Sequence, residues 1–160
     1  MKETNTGFPP IYNQESQVLI LGSFPSVISR NVGFYYGNKQ NRFWKTLEKI
    51  FSTEIIDTID FKTNFLLEHH LALYDVFEQS NLKGSADSNL LKANNTISDI
   101  SFLLPPYTKI SKIICNGKAA YKTLINNYDI NIPIIYLSST SSANPRYDYS
   151  SWKKELEFLK

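Results

Sequence analysis

Gln17-Val-Leu-Ile-Leu-Gly22 is a short apolar run that ends on glycine, the pattern of a β-strand buried on both faces. Two further runs repeat it, Lys112-Ile-Ile-Cys-Asn116 and Ile132-Pro-Ile-Ile-Tyr-Leu137, and Leu71-Ala-Leu-Tyr-Asp-Val-Phe77 is strand-like. Stretches with helical spacing separate them. Residues 42–52 place Phe43, Trp44, Leu47, Ile50 and Phe51 on one side, and residues 61–69 suit a second helix. Residues 97–104 read as a helix stopped by Pro105-Pro106, and Gly117 opens another helix reaching about residue 127. Residues 149–160 close the chain with Trp152, Leu156 and Leu159 at amphipathic spacing. Strands alternating with helices predict right-handed crossovers, hence an α/β three-layer αβα sandwich with a short, mostly parallel central sheet.

The chain as a whole sets the limits. Its 160 residues suit one domain over 1–160, and 42% hydrophobic with 20% charged residues is ordinary globular composition, which excludes disordered and fibrous classes. No apolar run is long enough to span a bilayer and residues 1–10 are polar, so a cytoplasmic protein without a membrane partner is expected. Net charge +2 and pI near 8.5 permit an anionic partner without requiring one. The lone Cys115 sits inside an apolar run, which excludes a disulfide framework and a cysteine metal site. His69 and His70 are adjacent and lack carboxylate or cysteine partners at ligand spacing, so they read as a helix-terminal pair and no metal is expected. Without a P-loop, a dinucleotide fingerprint or a cysteine set for an iron–sulfur cluster, no cofactor is expected either.

In sheets of this kind ligands bind at the carboxyl ends of the strands, which directs attention to the polar loops 23–40, 78–89 and 138–148. The first is rich in Gly, Ser and Tyr; the last is the hydroxyl cluster Ser138-Ser-Thr-Ser-Ser-Ala-Asn-Pro145.

Leu19-Ile-Leu-Gly-Ser-Phe-Pro-Ser26, followed by Gly33-Phe-Tyr-Tyr-Gly-Asn-Lys-Gln-Asn-Arg-Phe-Trp44, resembles the first motif region of mismatch-specific and hypoxanthine-type members of the uracil-DNA glycosylase superfamily. Leu137-Ser-Ser-Thr-Ser-Ser-Ala-Asn144 is similar to the second motif, which in that superfamily follows the last core strand. Asp75-Val76, Lys83-Gly-Ser-Ala-Asp-Ser88 and Cys115-Asn-Gly-Lys-Ala119 resemble intervening regions of the hypoxanthine (deoxyinosine) branch, so the likeness runs from about residue 17 to residue 152. Two positions depart from the pattern. Ser23 stands where mismatch-type enzymes have an asparagine, and Ser142 replaces the usual proline. The branch that also lacks the first asparagine relies on the one before the Phe-Trp pair, here Asn41. The resemblance implies a monofunctional DNA N-glycosylase of base-excision repair. Its partner would be double- or single-stranded DNA carrying a deaminated base, most simply hypoxanthine, with no obligate protein partner and a monomer as the working state.

Such an enzyme must unstack its target base, hold it in a snug pocket and fill the vacated helix. Because the base can depart as an anion, donors around it matter more than a strong nucleophile, and main-chain N–H groups at Gly22, Ser23, Phe24, Pro25 and Ser26 are candidates for such a nest, proline itself supplying none. Asn41 is the first catalytic candidate, its amide holding a water near the sugar or bonding the flipped base, and Ser23 is the second. The structural alternative is that Asn41 caps the helix starting near residue 42. Tyr36, with Tyr35 beside it, is the candidate stacking surface, only one of the two being expected to line the pocket, while Phe43 and Trp44 suit the core. Asp75 and Asn116, each ending a strand, are candidates for the base edge, though Asp75 equally suits a cap. Ser138, Ser139, Thr140, Ser141, Ser142 and Asn144 would bond phosphates on either side of the flipped nucleotide, reinforced by Arg146, against the plainer reading of a solvated turn. Lys39, Arg42 and Lys118 are candidate phosphate contacts.

Three rival readings remain at this stage. A serine hydrolase using Ser23 or Ser26 would need a histidine base, yet Gly22-Ser-Phe-Pro-Ser26 is not a G-x-S-x-G elbow. A non-catalytic damaged-DNA-binding module and a uracil or mismatch-specific glycosylase both fit the same fold.

Overall fold

Alternate side chains of the run at 17–22 go to opposite faces of one sheet in the computed structural model, which describes residues 4–81, 90 and 93–160. In chain order the elements are β1 (Asn5–Thr6), β2 (Val18–Gly22), α1 (Val27–Val32), α2 (Phe43–Phe51), α3 (Ile59–Glu68), β3 (Leu71–Asp75), β4 (Phe77–Ser80), β5 (Asn95–Ile97), β6 (Lys112–Asn116), α4 (Lys118–Asn127), β7 (Ile134–Leu137) and α5 (Tyr149–Leu156). β3, β2, β6 and β7 lie in that order in an all-parallel sheet, with Gly22 opposite Asp75 and Asn116 opposite Leu137. β1, β4 and β5 make a separate, small antiparallel sheet that the sequence pattern did not foretell.

The two faces of the parallel sheet define the layers. Val18 and Ile20 pack with Phe43, Leu47, Ile50, Phe65, Trp152 and Leu156 from α2, α3 and α5. Leu19 and Leu21 pack with Ala120 and Leu124 of α4 and with Leu103 of the short 3-10 turn Ser101–Leu103. Each fully buried large aliphatic or aromatic side chain in these clusters contributes about 1.5–3 kcal/mol relative to exposure. The expected αβα sandwich is therefore observed, and β2 is buried on both faces as its sequence requires. Cys115 is fully buried, and that burial pushes its thiol up to about 12.

Local chemistry fixes the helix ends. The Thr58 hydroxyl accepts from Phe61 N–H at the start of α3, and the Asp148 carboxylate accepts from Ser150 N–H at the start of α5. α3 ends at His69 and His70, the latter at φ 60, at the amino end of β3. Gly117 opens α4 at φ +96, and a Cβ there would stand 3.2 Å from that of Ser139, so both backbone and packing call for glycine.

Several expectations need correction. Residues 97–104 are not a helix. Ile97 pairs with Phe77, Ser98 N–H donates to Val76 O, and the Asp99 carboxylate accepts from Ser101 N–H to start only the short 3-10 turn. Tertiary pairing here overrides helical spacing. The 71–77 run breaks after Asp75, because Val76 and Phe77 donate to Gly22 O and Ser23 O and carry the chain across into the antiparallel sheet. The third apolar strand, β7, is an edge strand with Tyr136 48% exposed, not one buried on both faces. The loop 23–40 contains α1, signalled by Ser26, which accepts from Ser29 N–H, and by Gly33, which closes it in the left-handed conformation. The resemblance at 83–88, and most of the 78–89 loop, lie outside the described residues. No helix among the described residues is long and apolar enough to cross a membrane.

Candidate functional site

A cleft of about 650 Å³ opens at the carboxyl end of the parallel sheet, where the strand-order rule places ligands. Its floor is made by strand ends brought together by the topology, Gly22 of β2, Asp75 of β3 and Asn116 of β6. The turn 23–26 and Tyr36 form one wall, and Ser139 to Asn144 the other.

The floor is unusual in its polarity. The Asp75 carboxyl is buried, its Oδ2 has no hydrogen-bond partner, and burial pushes it up to about 7 from an ordinary value near 3.8. The Tyr36 hydroxyl is likewise buried and unpartnered. Burial first, then the neighbouring Asp75, push it well above the ordinary tyrosine range. Both groups face the same point. A Cβ on Gly22 would stand 2.5 Å from Asp75 Oδ1 and 2.9 Å from the Tyr36 hydroxyl. Buried polar atoms left without partners are costly and rare, so two groups that each carry one, side by side at a glycine, mark a place built for a ligand's polar edge or for water.

Tyr36 is also strained. Its φ of +52 lies in the left-handed region, where a bulky residue costs on the order of 1 kcal/mol or more. One face of its ring is stacked on Phe43 at 4.1 Å, and the residue lines the cleft. Tyr35 borders the cleft too, but its hydroxyl donates to Phe8 O and Pro9 O, and the ring is 2% exposed. Its expected place beside the base is corrected: Tyr35 anchors the wall to the N-terminal segment.

Asn41 lines the cleft and caps α2 at the same time, its Oδ1 accepting from Phe43 N–H at 2.9 Å. The capping reading is observed, and the same side chain borders the cleft. Ser23 and Phe24 are half-buried in the wall, Phe24 beneath the Arg30 guanidinium, whose Nη1 donates to Pro25 O. Ser26 and Ser29 bond each other, and Gly37 N–H donates to Ser29 Oγ, so this wall is tied to α1.

The opposite wall is stiffer than a solvated turn. Asn116 Oδ1 accepts from Thr140 N–H and its Nδ2 donates to Thr140 Oγ1, which spends the amide expected at the base edge. The same amide approaches the Tyr36 hydroxyl without completing a bond to it. Thr140 is fully buried, so its expected contact with DNA is corrected: it is a bolt between β6 and the serine loop. Asn144 donates to Ser139 O and accepts from Arg146 N–H. The Ser141 hydroxyl accepts from Ala143 N–H, and Ser139 Oγ from Ser141 N–H. Ser142 is exposed on the cleft. Arg42, expected at a phosphate, instead turns inward: its Nη1 donates to Ser141 O and Asn144 O, its backbone N–H donates to Thr140 O, and its guanidinium lies over the Tyr147 ring.

Three expected site residues lie away from the cleft lining. Ser138 is occupied with α5, accepting from Asp148 N–H and Trp152 Nε1, and Lys39 and Arg146 are exposed outside it. The cleft adds Ile28, Ser29, Asn38 and Tyr136, which sequence reasoning passed over. The cap signals of Ser26 and Gly33 could have revealed α1 and hence Ile28 and Ser29. Lys118 lines the rim and is exposed. Neither histidine of the chain lines the cleft, which removes the serine-hydrolase reading.

No family model matches the chain. The hypoxanthine DNA glycosylase of Methanosarcina acetivorans is 33% identical over 144 residues, spanning 88% of this chain and 89% of that protein. The hypoxanthine DNA glycosylase of Methanosarcina barkeri is 29% identical over 144 residues, 88% of each. A Methanosarcina acetivorans chain solved by NMR in solution under a uracil DNA glycosylase name superimposes with a TM-score of 0.82 at 30% identity, over 98% of this chain and 99% of that one. The motif order, the parallel sheet with its cleft and these relatives agree, and the chain belongs to the hypoxanthine DNA glycosylase branch of the uracil-DNA glycosylase superfamily.

Proposed function

We propose that this protein is a DNA N-glycosylase that flips a deaminated base, hypoxanthine first among them, into the cleft and hydrolyses its N-glycosidic bond. The observation that carries the reading is the buried Asp75 carboxyl, whose Oδ2 has no partner and whose Oδ1 crowds Gly22, beside the buried, unpartnered Tyr36 hydroxyl at the cleft floor. Below about pH 7 each presents an O–H donor, and donors are what a departing purine anion requires as negative charge builds on the ring. The hypoxanthine names of the two relatives give the substrate class.

In this mechanism the extracted base lies against the Tyr36 ring, a contact worth about 1–3 kcal/mol. Neutral Asp75 and the Tyr36 hydroxyl donate to the acceptor edge of the base, with the N–H groups of the 22–26 turn facing its developing charge. Asn41 holds the attacking water near the sugar: its Oδ1 accepts from Phe43 N–H and keeps a second lone pair, and its amide N–H groups are donors for the same task. An amide is a weak base, so the rate rests on leaving-group stabilisation and an oxocarbenium-like state, not on a strong nucleophile. The hydroxyls of Ser139 and Ser142, with loop main-chain N–H groups, receive phosphates beside the flipped nucleotide.

The test incubates the protein with duplexes carrying one hypoxanthine, uracil or xanthine, then cuts abasic sites with alkali. Cleavage at hypoxanthine that Asn41→Ala abolishes is expected. Cleavage at uracil alone would move the substrate to the mismatch-type class, and tight binding without any cleavage would make the protein a damaged-DNA-binding module.

A further inference from the structure

Flipping a base leaves a gap in the duplex that the enzyme must fill, and proteins that distort DNA commonly do so with an aliphatic wedge. The serine loop is unsuited to this: from Ser138 to Asn144 it offers only hydroxyls, the methyl of Ala143, the buried methyl of Thr140 and one amide, and its neighbour Arg146 lies outside the cleft. The opposite lip carries the missing side chain. Ile28 lines the cleft yet is 49% exposed, and Val32, one turn along the same face of α1, is 54% exposed. Together they put two aliphatic tips on one face beside the cleft.

Their support is rigid. Ser26 caps α1, Gly33 closes it, Gly37 N–H is bonded to the Ser29 hydroxyl, and Arg30 is tied to Pro25 O. The surroundings specify a polyanion as the occupant. From residue 17 to residue 45 the chain has no acidic side chain and carries Arg30, Lys39, Arg42 and Lys45, and from 130 to 147 its single charge is Arg146. Lys118 stands on the same rim. A basic field around an exposed aliphatic tip suits nucleic acid, with phosphates held by charge and the tip placed between bases.

We propose that Ile28 is the wedge that enters the base stack of duplex DNA and occupies the space left by the flipped nucleotide, with Val32 backing it against the adjoining pair; the assignment rests on the glycosylase reading of the cleft. A wedge matters only where a stack has to be held open. Single-turnover cleavage is therefore compared on a hypoxanthine duplex and on the same strand alone. Ile28→Ala should lower the ratio of duplex rate to single-strand rate about tenfold or more, and Ile28→Leu should recover most of that ratio. Equal losses on both substrates, or no loss on either, would overturn the wedge. A second readout does not depend on chemistry: 2-aminopurine beside the lesion should brighten when wild-type protein binds, and Ile28→Ala should give less than about a third of that rise. If wild-type protein cleaves neither substrate, the glycosylase reading fails and the fluorescence alone decides: equal brightening by the two proteins rejects Ile28, and a lost rise keeps it.

Discussion

Gly22 and Asp75 are register partners at the carboxyl ends of adjacent parallel strands, and the Asp75 carboxylate occupies the space a side chain on Gly22 would need. The glycine is required here for room and not for backbone freedom, since it has no positive φ. Adding one methyl forces Asp75 and the Tyr36 hydroxyl to move together. Gly22→Ala is expected to cut cleavage by about a hundredfold, because a displacement of about 1 Å in a positioned group is enough for that. In an Asp75→Ala background the same change should cost much less, as the crowding partner is gone. Additive losses in this double-mutant cycle would show that the two residues act independently.

Asp75 also predicts the pH behaviour. Burial lifts its carboxyl from about 3.8 to about 7, so the folded chain keeps a proton that the unfolded chain gives up. The stability this group contributes is whole below pH 4 and is lost as pH rises through 4 to 7, by up to about 4 kcal/mol. Urea unfolding of Asp75→Asn, which titrates in neither state, should lack that decline and exceed wild type at pH 8. The donor role makes a matching kinetic prediction. The wild-type rate should fall above pH 7, whereas Asp75→Asn, whose amide still donates, should keep activity and show no such limb. A rate that rises through pH 7 and vanishes in the variant would make Asp75 a base.

How much of this was legible follows from where each signal resides. Runs such as 17–22 and 112–116 carry their own pattern, and so do the core positions Phe43, Trp44 and Leu47, because burial on both faces or on one helical stripe leaves no freedom in residue type. The turn into β4 after Asp75 and the strand at 95–97 depend on partners distant in sequence, so periodicity alone misread them. The site shows the same division. Asn41, Tyr36 and Asp75 were readable as polar or aromatic residues at strand and helix ends. That Thr140 spends its hydroxyl on Asn116, Asn144 its amide on Ser139 O and Arg42 its guanidinium on loop carbonyls was not, since a hydroxyl or guanidinium reads the same whether its partner is a phosphate or a carbonyl.

Asn41 carries a structural and a chemical duty that two substitutions separate. Its Oδ1 holds Phe43 N–H at the start of α2, a bond whose loss typically costs about 1 kcal/mol. Asn41→Ala should therefore lower both thermal stability and cleavage. Asn41→Asp keeps the accepting oxygen and adds a negative charge at a helix start, where it is favourable, so it should unfold no earlier than wild type. It loses the amide N–H groups assigned to the water, and its cleavage rate should fall about a hundredfold or more, within the range a positioned polar group supplies. An Asp variant with full activity would reduce Asn41 to a cap.

Arg42 and Lys118 are both cations near the cleft, and salt should tell them apart. Arg42 holds the serine loop through two carbonyl oxygens, both reached by Nη1, while its planar guanidinium lies over Tyr147, a combination that the compact ammonium of a lysine does not reproduce. Arg42→Lys keeps the charge, so DNA binding should weaken about tenfold with an unchanged dependence on salt concentration, the loss reflecting a loosened loop. Lys118 is exposed on the rim. Replacing it by alanine should weaken binding to all sequences alike and reduce the slope of log affinity against log salt by about one, the mark of a single phosphate contact. A changed slope in Arg42→Lys, or an unchanged one in Lys118→Ala, would reverse the two assignments and put Arg42 on the DNA.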